Sequence, residues 1–209
     1  MTGAPIKAAL FDVDGVLVVH PHPVGWSVNL ERDLGLSTAL LQQAFFAPHW
    51  ADIVHGRAAL RDRLAPVLAE IAPRLDCETL IAYWFAQDAH LNLELLDEIA
   101  ALRAAGIELH LATLQEHERA RYLWETLGLR DRFDRLHYSA DLSAAKPDAA
   151  FFARIEQRTG LAPGEIFFVD DRQANVDAAL ARGWRAVRWT GAKALGELLA
   201  GAGYVSASA

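Results

Sequence analysis

The sequence predicts an α/β fold, a parallel sheet flanked by helices, with a helical module inserted near its start. Three observations point there. Short apolar runs recur along the chain and stop at Asp or Gly, as buried parallel strands do. From Leu93 onward these runs alternate with stretches of helical periodicity, the pattern of βαβ crossovers. Between His20 and Ala89 that rhythm stops, and only helical patterns appear. At 209 residues the chain has room for one domain of ordinary size, or for a core carrying a smaller insertion.

Ala8-Ala9-Leu10-Phe11 is the first strand, running into Asp12-Val13-Asp14-Gly15. The insertion follows, with helical patterns over Val28–Leu34, Ser37–Phe46, Ala58–Ile71 and Cys77–Ala86, punctuated by Pro21, Pro23, Pro48, Pro66 and Pro73. Leu95, Leu96, Ile99 and Leu102 lie at helical spacing in Leu93–Ala105, and Gly106 ends that helix. Ile107–Ala112 reads as the second strand and Glu116–Leu127 as a helix stopped by Gly128. Leu136–Ser139 is a short strand, and Asp148–Thr159 a helix closed by Gly160. Ile166–Val169 is a strand that meets Asp170-Asp171, Asn175–Arg182 is helical, and Arg185–Trp189 is the last strand. A small-residue tail follows Gly201.

Composition narrows the function classes. Hydrophobic residues at 53% and charged residues at 22% exclude a disordered chain. A net charge of −7 provides no electrostatic footprint for nucleic acid. The single cysteine, Cys77, rules out an intramolecular disulfide and a Cys-rich zinc cluster. No apolar run reaches the roughly 18 residues of a membrane span. Met1–Ile6 lacks a basic, then apolar, secretory pattern. The expectation is a soluble cytoplasmic protein with neither membrane nor nucleic acid as partner.

In an open parallel sheet, ligands bind outside the carboxyl ends of the strands. Asp12 and Asp14 follow the first strand, Thr113 follows the second, Lys146 lies in a later loop, and Asp170-Asp171 follow the fourth. Four carboxylates converging on one site repel one another unless a cation intervenes. Oxygen ligands without a His or Cys cluster favour a hard cation such as Mg²⁺. Lys146 and Thr113 supply a positive charge and a hydroxyl donor suited to a phosphate. Singly, each residue has a plainer role: the Asp residues in turns and N-caps, Thr113 at a strand end, Lys146 as a solvated charge. The ordered set favours metal-assisted phosphoryl transfer. Lys146 stands out further because the chain has 17 arginines and only three lysines.

Phe11-Asp12-Val13-Asp14-Gly15-Val16-Leu17 resembles the first motif of the haloacid dehalogenase (HAD) superfamily. Ala112-Thr113 resembles its second motif, Lys146-Pro147-Asp148 its third, and Phe168-Val169-Asp170-Asp171-Arg172-Gln173-Ala174-Asn175 its fourth. The resemblance implies a Rossmann-like core over residues 1–19 and 90–209, with residues 20–89 as a helical C1 cap. It implies Asp12 as nucleophile, Asp14 as the acid and later the base, and Thr113 and Lys146 as holders of the phosphoryl oxygens. Asp12, the Asp14 backbone carbonyl and Asp171 would hold Mg²⁺, with Asp170 direct or through water and Asn175 supporting from outside. The second motif often has Asn after its Ser or Thr; here Leu114 follows, leaving its backbone N–H for the phosphate.

In the insertion, His49, Trp50, His55 and Arg57 surround Gly56, which resembles the cap turn that faces the site in this family. Arg57 is then expected to bind a second anionic group and Trp50 to stack on a sugar or base; their plainer roles are a solvated charge and cap core. His20 and His22, alternating with Pro21 and Pro23, read as a stiff hinge rather than a metal site. The expected activity is a Mg²⁺-dependent phosphatase of a small phosphorylated metabolite. The alternatives are a 2-haloacid dehalogenase, which in this family lacks an acid at the position of Asp14, a phosphomutase with the same two aspartates, and a non-catalytic binding module. The last should have lost a carboxylate or the lysine, and none is missing.

Overall fold

A computed structural model of the chain describes residues 4–201. Met1–Gly3 and the tail after Gly201 lie outside the described residues. Five strands form one parallel sheet: β1 (Ala8–Phe11), β2 (Glu108–Thr113), β3 (Arg135–Tyr138), β4 (Ile166–Asp170) and β5 (Arg185–Arg188). Their spatial order is β3-β2-β1-β4-β5, so β1 is central and its C-terminal end lies between those of β2 and β4. Two boundaries differ from the sequence reading in a way that matters. Thr113 and Asp170 are the last residues of their strands, because each still pairs in register, with Tyr138 and Arg188 respectively.

After β1 the chain turns tightly, with Gly15 N–H donating to the Val18 carbonyl, and enters the helical insertion. Its helices are α1 (Leu30–Leu34), α2 (Thr38–Leu41), α3 (Ala47–Val54), α4 (Leu60–Ile71) and α5 (Cys77–Gln87). The first expected helix opens as a 3₁₀ turn over Trp26–Asn29. The second does not stop at Phe46. A π turn over Gln42–Phe46 shifts the hydrogen-bonding register ahead of Pro48, and α3 continues from it. These helices close around their own apolar cluster, which includes Leu30, Phe45, Ile53, Leu64 and Trp84. The two connections back to the sheet are paired: Val19 N–H donates to the His90 carbonyl at 2.9 Å and Asn92 N–H to the Leu17 carbonyl at 2.8 Å.

The remaining helices are α6 (Leu93–Ala104), α7 (His117–Arg121), α8 (Ser139–Leu142), α9 (Ala149–Thr159), α10 (Gln173–Ala181) and α11 (Leu195–Gly201). Strand alternation divides their packing. Ala9, Phe11, Leu109, Leu111, Phe167 and Val169 face α6 and α11, while Ala8, Leu10, Ile166 and Phe168 face Phe151, Phe152 and Ile155 of α9. Both faces of the sheet are covered, as the apolar strand sequences require.

Helix α7 holds the insertion against the sheet. Arg61 of α4 donates to Glu118 at 2.7 Å, and Tyr122, just past α7, packs its ring 5.3 Å from that of Phe85. Between them Arg119 is almost wholly buried, at 1% exposure. Its guanidinium donates to the carbonyls of Phe85 (3.1 Å) and Asp88, and lies 5.3 and 5.4 Å from the ring centres of Phe85 and Tyr122. A cation on the last carbonyls of α5 also suits the helix dipole. Replacing it with an apolar side chain strands those buried acceptors, so Arg119→Met should lower stability by about 3 kcal/mol. Urea denaturation checks this; an unchanged midpoint would mean that the docking does not rest on Arg119.

Candidate active site

The site is built on three adjacent strand ends. Asp12 follows β1, its backbone N–H still bonded to the Val169 carbonyl of β4 at 2.9 Å. Lys146 arrives from the loop before α9 and is buried, with its ammonium 2.8 Å from Asp12 Oδ2 and 2.7 Å from Asp170 Oδ2. A third contact, 2.9 Å to the Ala112 carbonyl, ties it to β2. Asp12 Oδ1 accepts from the Val13 N–H at 2.8 Å. A cavity of about 280 Å³ opens over these groups, lined by Asp12, Asp14, Leu114, Lys146, Asp171 and Arg172 among others.

The carboxylates have different degrees of freedom. Asp170 is fully buried and its oxygens are committed to Lys146, to the Arg172 N–H at 2.8 Å and to Asn175 Nδ2 at 2.9 and 3.0 Å. Asp171 is half-buried, and among the described residues no donor hydrogen-bonds to its side chain. One oxygen each from Asp12, Asp170 and Asp171 lies within 4.8 Å of the others. Three carboxylates against one ammonium leave a negative, all-oxygen cluster, which fits a hard divalent cation. Asp12 and Asp171 are the ligands with capacity to spare, and Asp170 already has its donors. Gly15 permits this closeness: its φ is +79°, and a Cβ there would sit 2.7 Å from Asp171 Oδ2.

Burial dominates the protonation of the site. It pushes Asp12 up to about 7, against the pull of Lys146. Asp14, an exposed residue at the cavity mouth, is raised as well, by partial desolvation and then by the charge of Asp88, against Arg119 and the hydrogen bond from Gln115. Asp171 is raised too, by burial and then by Asp170.

The structure brings together Asp12, Asp14, Thr113, Leu114, Lys146, Asp170, Asp171 and Asn175. Thr113 is fully buried at the end of β2, and Leu114 forms an apolar part of the cavity wall. The two residues expected from the insertion lie elsewhere. Trp50 packs its ring 5.4 Å from Phe46 and 5.7 Å from Trp84, within the aromatic core of the insertion. Arg57 folds back onto the end of α3, pairing with Asp52 at 2.8 Å and donating to the Ala51 carbonyl. Neither lines the cavity. The Gly56 turn itself touches the core: a Cβ there would come 2.4 Å from the Ala140 carbonyl. His20 and His22 bond locally, His22 N–H donating to His20 Nδ1 at 3.0 Å.

Sequence reasoning missed Arg172, which lines the cavity, and Gln115, which touches Asp14. Arg172 carried a signal, since it directly follows the Asp170-Asp171 pair. Gln115 carried only its place two residues beyond Thr113.

A family profile of haloacid dehalogenase-like hydrolases matches residues 6–183. A phosphoglycolate phosphatase from Chromobacterium violaceum is 30% identical over 87% of this chain and 84% of its own. One from Pectobacterium atrosepticum is 25% identical over 88% and 80%. Among solved structures, a HAD family enzyme from Bacteroides thetaiotaomicron, crystallised as a magnesium complex, superposes with a TM-score of 0.78 at 18% identity, covering 94% of this chain and 99% of that one. The L-2-haloacid dehalogenase of Xanthobacter autotrophicus superposes at 0.59 with 23% identity, covering 88% and 77%. At these identities the structures show a shared fold.

A protonated Asp12 is no metal ligand, so protons and cations compete for it. With its carboxyl raised to about 7, affinity for a divalent cation should fall as pH drops from 8 to 6. The expected loss is roughly tenfold, with close to one proton released per ion bound at the lower pH. Calorimetric Mg²⁺ titrations in buffers of different ionisation enthalpy measure both quantities.

Proposed function

The chain belongs to the haloacid dehalogenase-like hydrolases, an enzyme of their phosphatase type, and we propose that it hydrolyses a small phosphomonoester through an aspartyl-phosphate, with Mg²⁺ as its cation. The observation that carries this reading is the pairing of two unlike carboxyls at the end of β1. Asp12 lies against the Lys146 ammonium at 2.8 Å, and that charge together with a bound cation would hold it as a charged nucleophile against the upward push of burial. Asp14 lines the cavity with no ammonium paired to it among the described residues, and its Oδ2 accepts from Gln115, which leaves its other oxygen able to carry a proton to a leaving group. A departing halide needs no proton, whereas a departing alkoxide does. The placement of Asp14 therefore favours phosphoester cleavage over dehalogenation.

In this mechanism an Asp12 carboxylate oxygen forms a bond to phosphorus as the bond from phosphorus to the ester oxygen breaks. The Asp14 proton passes to that oxygen, and the alcohol leaves. Asp14, now a carboxylate, takes a proton from water as the water attacks the aspartyl-phosphate, which frees phosphate and restores Asp12. Lys146 and the Thr113 hydroxyl hold phosphoryl oxygens throughout, and the Leu114 N–H adds a backbone donor. Mg²⁺, held by Asp12, Asp171 and the Asp14 carbonyl with Asp170 in support, would neutralise charge on the phosphoryl group. The phosphoglycolate phosphatase relatives make phosphoglycolate the first substrate to try.

A panel of phosphorylated metabolites assayed with Mg²⁺ tests the reading. Wild type should release phosphate, and Asp12→Asn should reduce kcat by at least about a thousandfold without unfolding the protein, since an amide is no nucleophile here. Exhaustive EDTA treatment should abolish turnover, and calcium should fail to restore it, because its looser coordination shell spoils the in-line approach. Near-wild-type activity in Asp12→Asn would end this reading. Halide release by the metal-free enzyme would replace it with dehalogenation.

A further inference from the structure

Gln115 is a neutral side chain, 97% buried, beside the charged groups of the site. Its Nε2 donates to Asp14 Oδ2 at 2.8 Å and lies 3.4 Å from Thr113 Oγ1. The backbone beneath it is held on both sides. Gln115 N–H donates to Ser139 Oγ at 3.1 Å, and the Gln115 carbonyl accepts from that hydroxyl at 3.1 Å and from the Ala140 N–H at 3.2 Å. The next residue, Glu116, turns its carboxylate onto the Glu118 and Arg119 N–H groups and starts α7. The amide of Gln115 is thus delivered to Asp14 by a segment with little freedom.

A carboxylic acid gives its proton from one oxygen while the other only accepts. An amide N–H directed at Oδ2 makes that oxygen the acceptor and leaves the proton on Oδ1. We propose that Gln115 is the positioning residue of the acid: it selects Oδ1 of Asp14 as the proton-bearing oxygen and holds the carboxyl in register with the phosphoryl group bound at Thr113. This rests on the phosphatase reading above and deepens it. Gln115 exchanges no proton itself. Its effect reaches the reaction only through Asp14, so its loss should weigh on substrates in proportion to their need for an acid.

That proportion is measurable. An alkyl phosphomonoester expels an alkoxide that must be protonated as it leaves; p-nitrophenyl phosphate expels a stable phenolate. The ratio kcat/KM covers only the steps through departure of the leaving group, so it isolates the acid role of Asp14 from its later role as base. In Gln115→Leu, kcat/KM for the alkyl substrate should fall on the order of 10- to 100-fold. The loss should be at least about tenfold greater than that on p-nitrophenyl phosphate. Gln115→Glu, nearly the same size but without the amide donor, should show the same selective loss and covers the case in which the leucine variant does not fold. Adding Gln115→Leu to Asp14→Asn should cost little more than Asp14→Asn alone, because the two act as one unit. Equal losses on both substrates, or losses that add in the double variant, would overturn the proposal and make Gln115 a packing residue. Failure of the phosphatase reading looks different: wild type itself would then release no phosphate from any ester.

Discussion

Asp12 and Asp170 end adjacent strands with their oxygens close enough that two charges there would push the strand ends apart. The Lys146 ammonium stands between them and also accepts the duty of satisfying the Ala112 carbonyl on β2. One side chain thereby ties β2, β1 and β4 together at the edge where the candidate site lies. A buried ammonium costs solvation, and these three oxygens offset that cost only in this geometry. The remaining charge is left uncompensated: among the described residues no Lys or Arg pairs with Asp171 or Asp14 at comparable range, so the cluster has room for one more positive ion. An affinity of this cluster for a divalent cation would follow from the lysine's satisfying two carboxylates and not four.

Much of this was legible because parallel strands and crossover helices write themselves in local patterns. The apolar runs Ala8–Phe11 and Ile166–Val169 cannot be half-exposed strands, and the polar residues at their ends have nowhere to go but the carboxyl edge of the sheet. Even so, the placement of Thr113 and Asp170 inside the strands depends on pairing with Tyr138 and Arg188, which is set by neighbours distant in sequence. The continuation of the helix through Pro48 was illegible for a related reason. A proline ordinarily ends a helix, and the π turn that accommodates it leaves no compositional mark.

The insertion shows where sequence reasoning loses its grip. Arg57 and Trp50 have the right chemistry for a ligand and the right position beside Gly56, yet each is taken by a nearer partner, Asp52 for the guanidinium and Phe46 with Trp84 for the indole. Short-range competition of this kind depends on rotamers, and residue type does not reveal it. The residue that does join the insertion to the sheet, Arg119, looks in sequence like any charge on an amphipathic helix. Its burial follows from the C-terminal carbonyls of α5, more than thirty residues earlier, needing a donor.

These separate contacts converge on one short segment. Starting from the end of β2, Thr113 lies buried beneath Gln115, Leu114 supplies a wall of the cavity, Gln115 a hydrogen bond to Asp14, Glu116 the cap of α7, Glu118 the partner of Arg61, and Arg119 the grip on α5. The backbone of Gln115 is clamped by Ser139 and Ala140, and the Ala140 carbonyl is also the surface on which the Gly56 turn of the insertion rests. The insertion therefore reaches Asp14 by two routes, through Arg119 along α7 and through Gly56 across Ala140, without placing a side chain in the cavity. A displacement of the helical module relative to the sheet must strain one of these contacts or carry Gln115 with it. Under the proposed phosphatase mechanism, the insertion's hold on the chemistry would lie in how firmly Asp14 is held, and its side chains would not need to touch the phosphoryl group to influence it.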